Sequence, residues 1–259
     1  MRSKQNIKLI LEETYTKFHH REFVEPDPLQ FLYPYSDVRD REISGIIASC
    51  LALGRVGSII KIINEVLEKL PSPFENLMTL DPVEISELFS DFKYRFYIGN
   101  DLVDLLLAIK KIIKQYGSLN NCFLHGYRES HASVLPALLF FVNSLYDNSR
   151  LKMIADPSKS SACKRLMLYL RWMVRNDEID PGGWQGIPRS KLIIPLDTHM
   201  RKISRMLKLS TRNDGGIKTA LEITKSLQKY DPLDPIRFDF SLTRPGIHPD
   251  LNYDEFSQQ

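Results

Sequence analysis

Two residues of opposite charge offer the clearest chemistry in this sequence: Lys164 in SACKRLMLYLRWMVR and Asp197 in IPLDTHMRKISRML. Each stands at the start of a strongly apolar run with helical spacing. A neutral amine can attack an electrophilic carbon and form a Schiff base, and a nearby carboxylate can stabilise positive charge or transfer protons. The pair therefore predicts covalent catalysis if the fold brings both side chains into one cleft.

The lysine precedes the run LMLYLRWMV, which is apolar on every face except at Arg171, so we expect a helix that is buried on most sides. Lys164 and Arg171 are two turns apart and share one face. One interpretation of Lys164 is a solvated lysine in the first turn, after an N-cap at Ser160 or Ser161. In the other, the helix dipole and partial burial favour the neutral amine of a nucleophile. For Arg171 the simpler interpretation is a core arginine paired with a carboxylate.

The aspartate follows Pro195, which disfavours helix immediately before it, so Asp197 is predicted to be the N-cap or the first residue of a helix. Aspartate is a favoured N-cap, and a purely structural role is one interpretation. The same position suits catalysis, because a carboxylate held by backbone N–H groups stays ionised and rigid. The helix then carries a basic side that suits either solvent or phosphates. That side consists of His199, Arg201, Lys202 and Arg205.

The elements that must position this pair are predicted to be helices, because strand-like alternation is nearly absent and the expected fold class is all-α. Apolar spacing of three and four residues covers 6–18, 41–70, 101–115, 133–146, 161–176, 197–208 and 216–229. The segment 177–195 is rich in proline and glycine, and its length is typical of a lid or binding loop. Gly54 interrupts the second run, which indicates a kink or an interhelical contact. The stretch FKYRF at 92–96 indicates either a short core segment or a nucleic-acid contact.

Composition limits the class of protein without deciding it. The chain has 259 residues, 43% of them hydrophobic, and a formal net charge of +3, which permit a substantial core and permit nucleic-acid binding without requiring it. Three separated cysteines and six ungrouped histidines predict reduced core thiols and no metal site. We find no run long enough to span a membrane, so the expectation is a soluble, cytoplasmic protein without membrane contact.

The lysine-bearing helix, the loop and IPLDTHMRKISRML together resemble the helix-hairpin-helix DNA glycosylase superfamily. The resemblance is closest to the archaeal 8-oxoguanine glycosylase branch, and the whole chain is similar to an uncharacterised bacterial family of that fold. It covers residues 150–210 well and implies one all-α, helix-hairpin-helix unit over 1–259, with two packed helical lobes and a cleft between them. Lobe A would comprise about 30–150, lobe B about 1–29 with 151–245, and the tail 246–259.

This resemblance implies a role for each matching residue. Lys164 would be the nucleophile and Asp197 the assisting carboxylate of a glycosylase with AP-lyase activity on an oxidised purine such as 8-oxoguanine. The base pocket would contain Arg171, Asp239 and Trp172, or Trp184 in place of Trp172. The predicted DNA contacts are Lys159, Ser160, Ser161, Thr198, His199, Arg201 and Arg55. The implied partner is double-stranded DNA with a damaged base, bound by a monomer without cofactor or metal.

The hairpin departs from the superfamily pattern L-P-G-x-G, because the corresponding stretch IADPSKSSACK contains no glycine. Serine and lysine side chains would then replace backbone amides as phosphate donors. The cysteines of the endonuclease-III branch are also missing, which excludes that branch. Two alternatives remain open: a non-catalytic helical DNA- or RNA-binding protein of the same fold, and a helical protein-interaction module in which the charged residues are caps and ion pairs.

Overall fold

Most of the segments with helical spacing of apolar residues form α-helices in the structure. The computed structural model describes residues 4–146 and 150–247, and the all-α fold class is confirmed there. The α-helices are α1 (Lys4–Phe18), α2 (Val38–Leu51), α3 (Val56–Glu68), α4 (Pro73–Thr79), α5 (Pro82–Leu88), α6 (Gly99–Tyr116), α7 (Leu119–Gly126), α8 (Leu135–Leu145), α9 (Lys164–Val174), α10 (Thr198–Met206), α11 (Ile217–Leu227) and α12 (Asp239–Ile247). Short 3-10 helices cover Arg21–Phe23, Pro28–Leu32 and Arg189–Lys191.

The apolar run over 41–70 is divided into α2 and α3, so the interruption predicted at Gly54 is a break between two helices rather than a kink in one. Gly54 lies at the break with a φ of +125°, a conformation that excludes helix and favours glycine. A Cβ at this position would lie 2.9 Å from Nη1 of Arg95. The glycine therefore permits both the sharp turn and a close approach by an arginine from another element.

One small hairpin interrupts the helical pattern in the described part of the chain. Strand β1 (Lys93–Tyr94) pairs antiparallel with β2 (Tyr97–Ile98). Arg95 at the turn adopts a φ of 55°, as tight two-residue hairpin turns require. The side chains of this hairpin alternate between buried and exposed, so FKYRF is only partly a core segment.

The helices form two groups that meet at α9. Helices α3 to α8 pack on one another, on α2 and on the 3-10 helix Pro28–Leu32, whereas α12 packs on α1 and α10. Helix α9 packs on α2, and its residues from Leu166 to Val174 are buried except Leu168. The predicted boundary between two lobes near residue 150 stays a prediction, and most of the predicted tail, 248–259, lies outside the described residues.

The segment 177–195 is a packed connection, which corrects the prediction of a lid or binding loop. Ile179 and Trp184 are buried in it. The backbone N–H groups of Gly182 and Trp184 donate to carbonyls at the end of α9, at 3.0 and 2.8 Å. Nε1 of Trp184 also donates to Oε2 of Glu42 on α2, at 2.9 Å. Buried anchors on two helices hold this segment against the core.

The three cysteines are free and buried, as predicted. Over the described ranges, we find no helix that is both long enough and apolar enough to cross a membrane.

Candidate active site

Helix α9 presents Lys164 as its first residue. The predicted serine N-cap was wrong: the N-cap is Cys163, with φ 47° and ψ 41°, in the left-handed region that costs a non-glycine residue about 1–2 kcal/mol. Oγ of Ser161 accepts a hydrogen bond from the backbone N–H of Cys163, at 3.1 Å. The serine hydroxyl thus supports the turn into the helix, and the lysine follows that turn directly.

Helix α10 is capped by Asp197, as predicted from the proline before it. Oδ1 of Asp197 accepts from the backbone N–H of Met200, at 2.7 Å. The approach to the cap is fixed too, because the backbone N–H of Ile194 donates to Oγ1 of Thr224 on α11, at 3.0 Å. The carboxylate therefore has little positional freedom.

The two helix starts bring the predicted pair together. Nζ of Lys164 lies 3.4 Å from Oδ2 of Asp197, and the side chains are 38% and 15% exposed. Both line one cleft with a volume of about 810 Å³. Since Oδ1 holds the helix cap, Oδ2 is the oxygen available to the amine. The arrangement places an amine, a proton acceptor and open space within reach of a bound molecule.

A buried ion cluster forms another part of the cleft wall. Arg171 lines the cleft two turns after the lysine, and its guanidinium bonds to both Asp239 and Asp180. Its Nε lies 3.1 Å from Oδ1 of Asp180, and its Nη1 contacts Oδ2 of Asp239. Burial raises the pKa of the Asp239 carboxyl to about 6, although the charge of Arg171 opposes the rise. Arg171 is thus a core arginine paired with carboxylates and, at the same time, a cleft residue.

The two tryptophans lie in different places. Trp172 lines the cleft, and its Nε1 is buried without a hydrogen-bond partner among the described residues. Trp184 is absent from the lining and packs against Phe123 and Tyr169. The alternative that Trp184 frames a bound base was therefore wrong, because its hydrogen bond to Glu42 fixes it in the core.

Some of the predicted DNA contacts line the cleft and others do not. Ser161, Thr198 and His199 line the cleft, whereas the other four lie outside its lining: Lys159, Ser160, Arg201 and Arg55. The carbonyl of Ser160 accepts from the backbone N–H of Ile217, at 2.9 Å, as part of a bridge to the start of α11.

The basic side of α10 forms a second depression of about 480 Å³. It is lined by Arg201, Lys202, Arg205 and Met206, and Thr198 borders both this depression and the cleft. A basic surface thus continues directly from the cleft mouth along α10.

Several cleft residues were not found from the sequence. Asp27 and Arg244 also line the cleft and form an ion pair of 2.7 Å, although they are 217 positions apart in the sequence. Phe240 and Thr243 of α12 complete this part. Asp27 carries only the sequence signal of a helix cap before proline, and nothing in the sequence indicates its pairing with Arg244. Within the described residues, we find no group of three or more His, Cys, Asp or Glu residues placed to hold a metal ion.

The chain belongs to the family described as "Protein of unknown function (DUF2400)", whose model matches residues 27–248. The match includes α9, α10, α12 and every residue named above in the cleft. No curated protein and no solved structure matched the chain.

Proposed function

We propose that this protein is a DNA base-excision glycosylase with AP-lyase activity, acting on an oxidised purine such as 8-oxoguanine. The observation that carries the proposal is the distance of 3.4 Å between Nζ of Lys164 and Oδ2 of Asp197 at an open cleft. The resemblance of residues 150–210 to the helix-hairpin-helix glycosylases supports the same assignment. The volume of about 810 Å³ suits an extruded nucleotide, since ligand pockets measure roughly 300–1,000 Å³.

The reaction begins with a nucleotide extruded from the helix, because the glycosidic bond is inaccessible within stacked bases. Neutral Lys164 attacks the anomeric carbon; the new C–N bond forms as the glycosidic bond breaks, and the departing base takes up a proton. Opening of the sugar ring gives a protonated Schiff base. Loss of a proton from the neighbouring sugar carbon then breaks the bond to the 3′ oxygen, which completes strand cleavage by β-elimination.

Asp197 has two tasks in this scheme, one for each oxygen. Oδ1 remains on the backbone N–H of Met200 and keeps the carboxylate fixed. Oδ2 faces the lysine, accepts the proton that the ammonium must lose and passes it to the departing base; the carboxylate, ionised again, then stabilises positive charge on the sugar. The carboxylate therefore needs no rearrangement before it acts.

The pocket for the base would be formed by Arg171, Asp239 and Trp172. The ion pair offers hydrogen-bonding groups on a buried wall, and the indole adds an apolar surface and an N–H group that has no partner among the described residues. The basic face of α10 would bind the phosphates of the same DNA. These contacts position the nucleic acid without reading its sequence.

Borohydride trapping tests the lyase step, because reduction converts the Schiff base into a stable covalent adduct. We expect an adduct with DNA that contains 8-oxoguanine or an abasic site, and its loss in Lys164→Ala. Lys61→Ala is the control, because this lysine of α3 is 79% exposed and lies outside the cleft lining. Absence of an adduct across a panel of lesions, with DNA binding intact, would refute catalysis.

A non-catalytic DNA- or RNA-binding protein is the second candidate. The stretch IADPSKSSACK before α9 favours it. The backbone N–H groups of Ser158 and Lys159 already donate to Asp156, and that of Cys163 donates to Ser161. These amides are unavailable to a phosphate. Such a protein would bind nucleic acid with a steep dependence on salt, yet would give no borohydride adduct.

A further inference from the structure

The hairpin β1–β2 is fixed to the wall of the cleft through its buried face. Oη of Tyr94 donates to the carbonyl of Leu53, at 2.8 Å. Nη1 of Arg165 donates to Oη of Tyr97, at 3.0 Å. Leu53 and Arg165 both line the cleft, and Arg165 directly follows Lys164 in the chain. The hairpin therefore stands at the rim of the candidate active site.

The opposite face of the hairpin exposes an aromatic ring among cations. Phe96 is 54% exposed and is the one aromatic residue among the exposed large hydrophobic side chains of the described chain. Lys93 and Arg95 are exposed beside it, and Arg55 lies exposed just after Gly54. Within the described ranges, no carboxylate forms a salt bridge with any of these three cations. A ring and unneutralised positive charges together fit a base and its phosphates better than a neutral apolar partner.

The ring is held in place before any ligand arrives. It packs against Tyr97 with ring centroids 4.6 Å apart. Nζ of Lys152 donates to the carbonyl of Phe96, at 2.6 Å, and forms an ion pair of 3.0 Å with Asp101 at the start of α6. A preorganised ring loses little conformational entropy on binding.

We infer that this hairpin is a stacking platform for an unpaired nucleic-acid base beside the cleft, with Phe96 contacting the base and Arg95 the phosphate. The faces of bases within an intact duplex are covered by their neighbours, so an exposed ring favours single-stranded or gapped DNA. The inference rests on the proposed function only for the class of ligand, DNA. It extends the predicted partner, double-stranded DNA with a damaged base, to DNA with unpaired bases next to the bound nucleotide.

The test compares variants of Phe96 by fluorescence anisotropy with a labelled single-stranded oligonucleotide and a duplex of the same sequence. Base–aromatic stacking is worth about 1–3 kcal/mol, so Phe96→Ala should weaken single-strand binding by about 5- to 150-fold. Phe96→Trp should retain the affinity, and Phe96→Leu should lose it although it remains apolar. Ile98→Ala is the matched control, because Ile98 is similarly exposed, at 51%, on the same hairpin.

Arg95→Gln gives an independent measure of the same surface. It should weaken binding of all sequences and lower the salt slope by about one. Circular dichroism of each variant confirms that the fold is intact. Equal affinities of wild type, Phe96→Ala and Phe96→Leu for the single strand would overturn the inference, and so would complete absence of nucleic-acid binding.

Failure of this inference and failure of catalysis give different results. If the hairpin is not a platform but the protein is a lyase, Phe96→Ala binds normally and still forms the borohydride adduct. If the platform exists but catalysis does not, single-strand affinity depends on Phe96, while no adduct forms with wild type.

Discussion

Arg171 provides a strong test of the cleft, because this one buried cation pairs with two buried carboxylates. Its side chain is 4% exposed, and those of Asp180 and Asp239 are 0% and 4% exposed. Arg171→Met keeps an unbranched apolar stem and removes the charge. Asp180 retains Arg175, at 3.4 Å, whereas Asp239 loses its cation. The substitution therefore isolates one carboxylate in the cleft wall.

The expected loss follows from the burial of that carboxylate. Removing one partner of a buried ion pair costs about 3–5 kcal/mol of unfolding free energy. Asp239 can reduce this loss by taking up a proton, because burial already raises its pKa from 3.8 to about 6. A carboxyl with a raised pKa contributes its stability below its ordinary pKa and loses it as pH rises through the folded value. The loss in Arg171→Met should therefore be smaller at pH 5 than at pH 8.

Urea unfolding followed by circular dichroism at pH 5 and pH 8 measures both effects. Asp239→Asn removes the charge that Arg171→Met leaves unpaired. The double variant should therefore lose less unfolding free energy than the sum of the losses in the two single variants. Arg39→Met is the matched control: Arg39 pairs with Asp37 at 2.7 Å, but its side chain is 55% exposed. Such an exposed pair is screened by solvent and contributes little to stability.

Two results would refute this reasoning. One is a loss below about 1 kcal/mol for Arg171→Met at pH 8, which would mean that water or a rearranged side chain stabilises Asp239. The other is simple additivity of Arg171→Met and Asp239→Asn, since residues in one buried pair must show a coupling energy. Either result would also mean that the pair Arg171–Asp239 does not make the cleft wall rigid.

The other predictions concern Asp197 and Glu42. Asp197→Ala should lose about 0.5–2 kcal/mol of stability with its helix cap, whereas Asp197→Asn should keep most of that stability because asparagine also caps helices. Both should slow adduct formation by about 100-fold or more in borohydride trapping, and normal rates in Asp197→Asn would contradict the assigned role. Burial raises the pKa of Glu42 to about 7 in the folded protein. The protonated carboxyl therefore adds to the free energy of unfolding below its ordinary pKa of 4.5, and this stability is lost as pH rises through about 7. Relative to Glu42→Gln, wild type should lose on the order of 3 kcal/mol between pH 4.5 and pH 8 in urea unfolding, and a constant difference would contradict this.

Local patterns were sufficient to predict the parts of the site that depend on local physics. The apolar run after Lys164 predicted a buried helix, and the seven-residue spacing placed Arg171 on the same face. Pro195 predicted Asp197 as the N-cap or first residue of a helix, since the residue before proline avoids helical geometry and aspartate caps well. The convergence of the lysine and the aspartate could only be stated as a condition, because sequence spacing does not fix how two helices meet.

Features that depend on distant contacts were missed. The hydrogen bond between Glu42 and Trp184 joins residues 142 positions apart, so the glycine-rich segment 177–195 was interpreted as a lid when its anchors were unknown. Cys163 occupies a left-handed conformation where the sequence suggested only a serine cap nearby. The exposure of Phe96 depends on a two-residue turn at Arg95, and the sequence of the hairpin contains no glycine or asparagine to indicate it.

The anchoring of the segment 177–195 determines the smallest piece of the chain that could be active. Residues 150–210 carry both Lys164 and Asp197, yet the connection between them is held from outside, by Glu42 and by Oη of Tyr33, which donates to the carbonyl of Ile179 at 2.7 Å. An excised fragment would contain the reactive groups without the surfaces that set their separation. The proposed chemistry therefore depends on contacts outside residues 150–210.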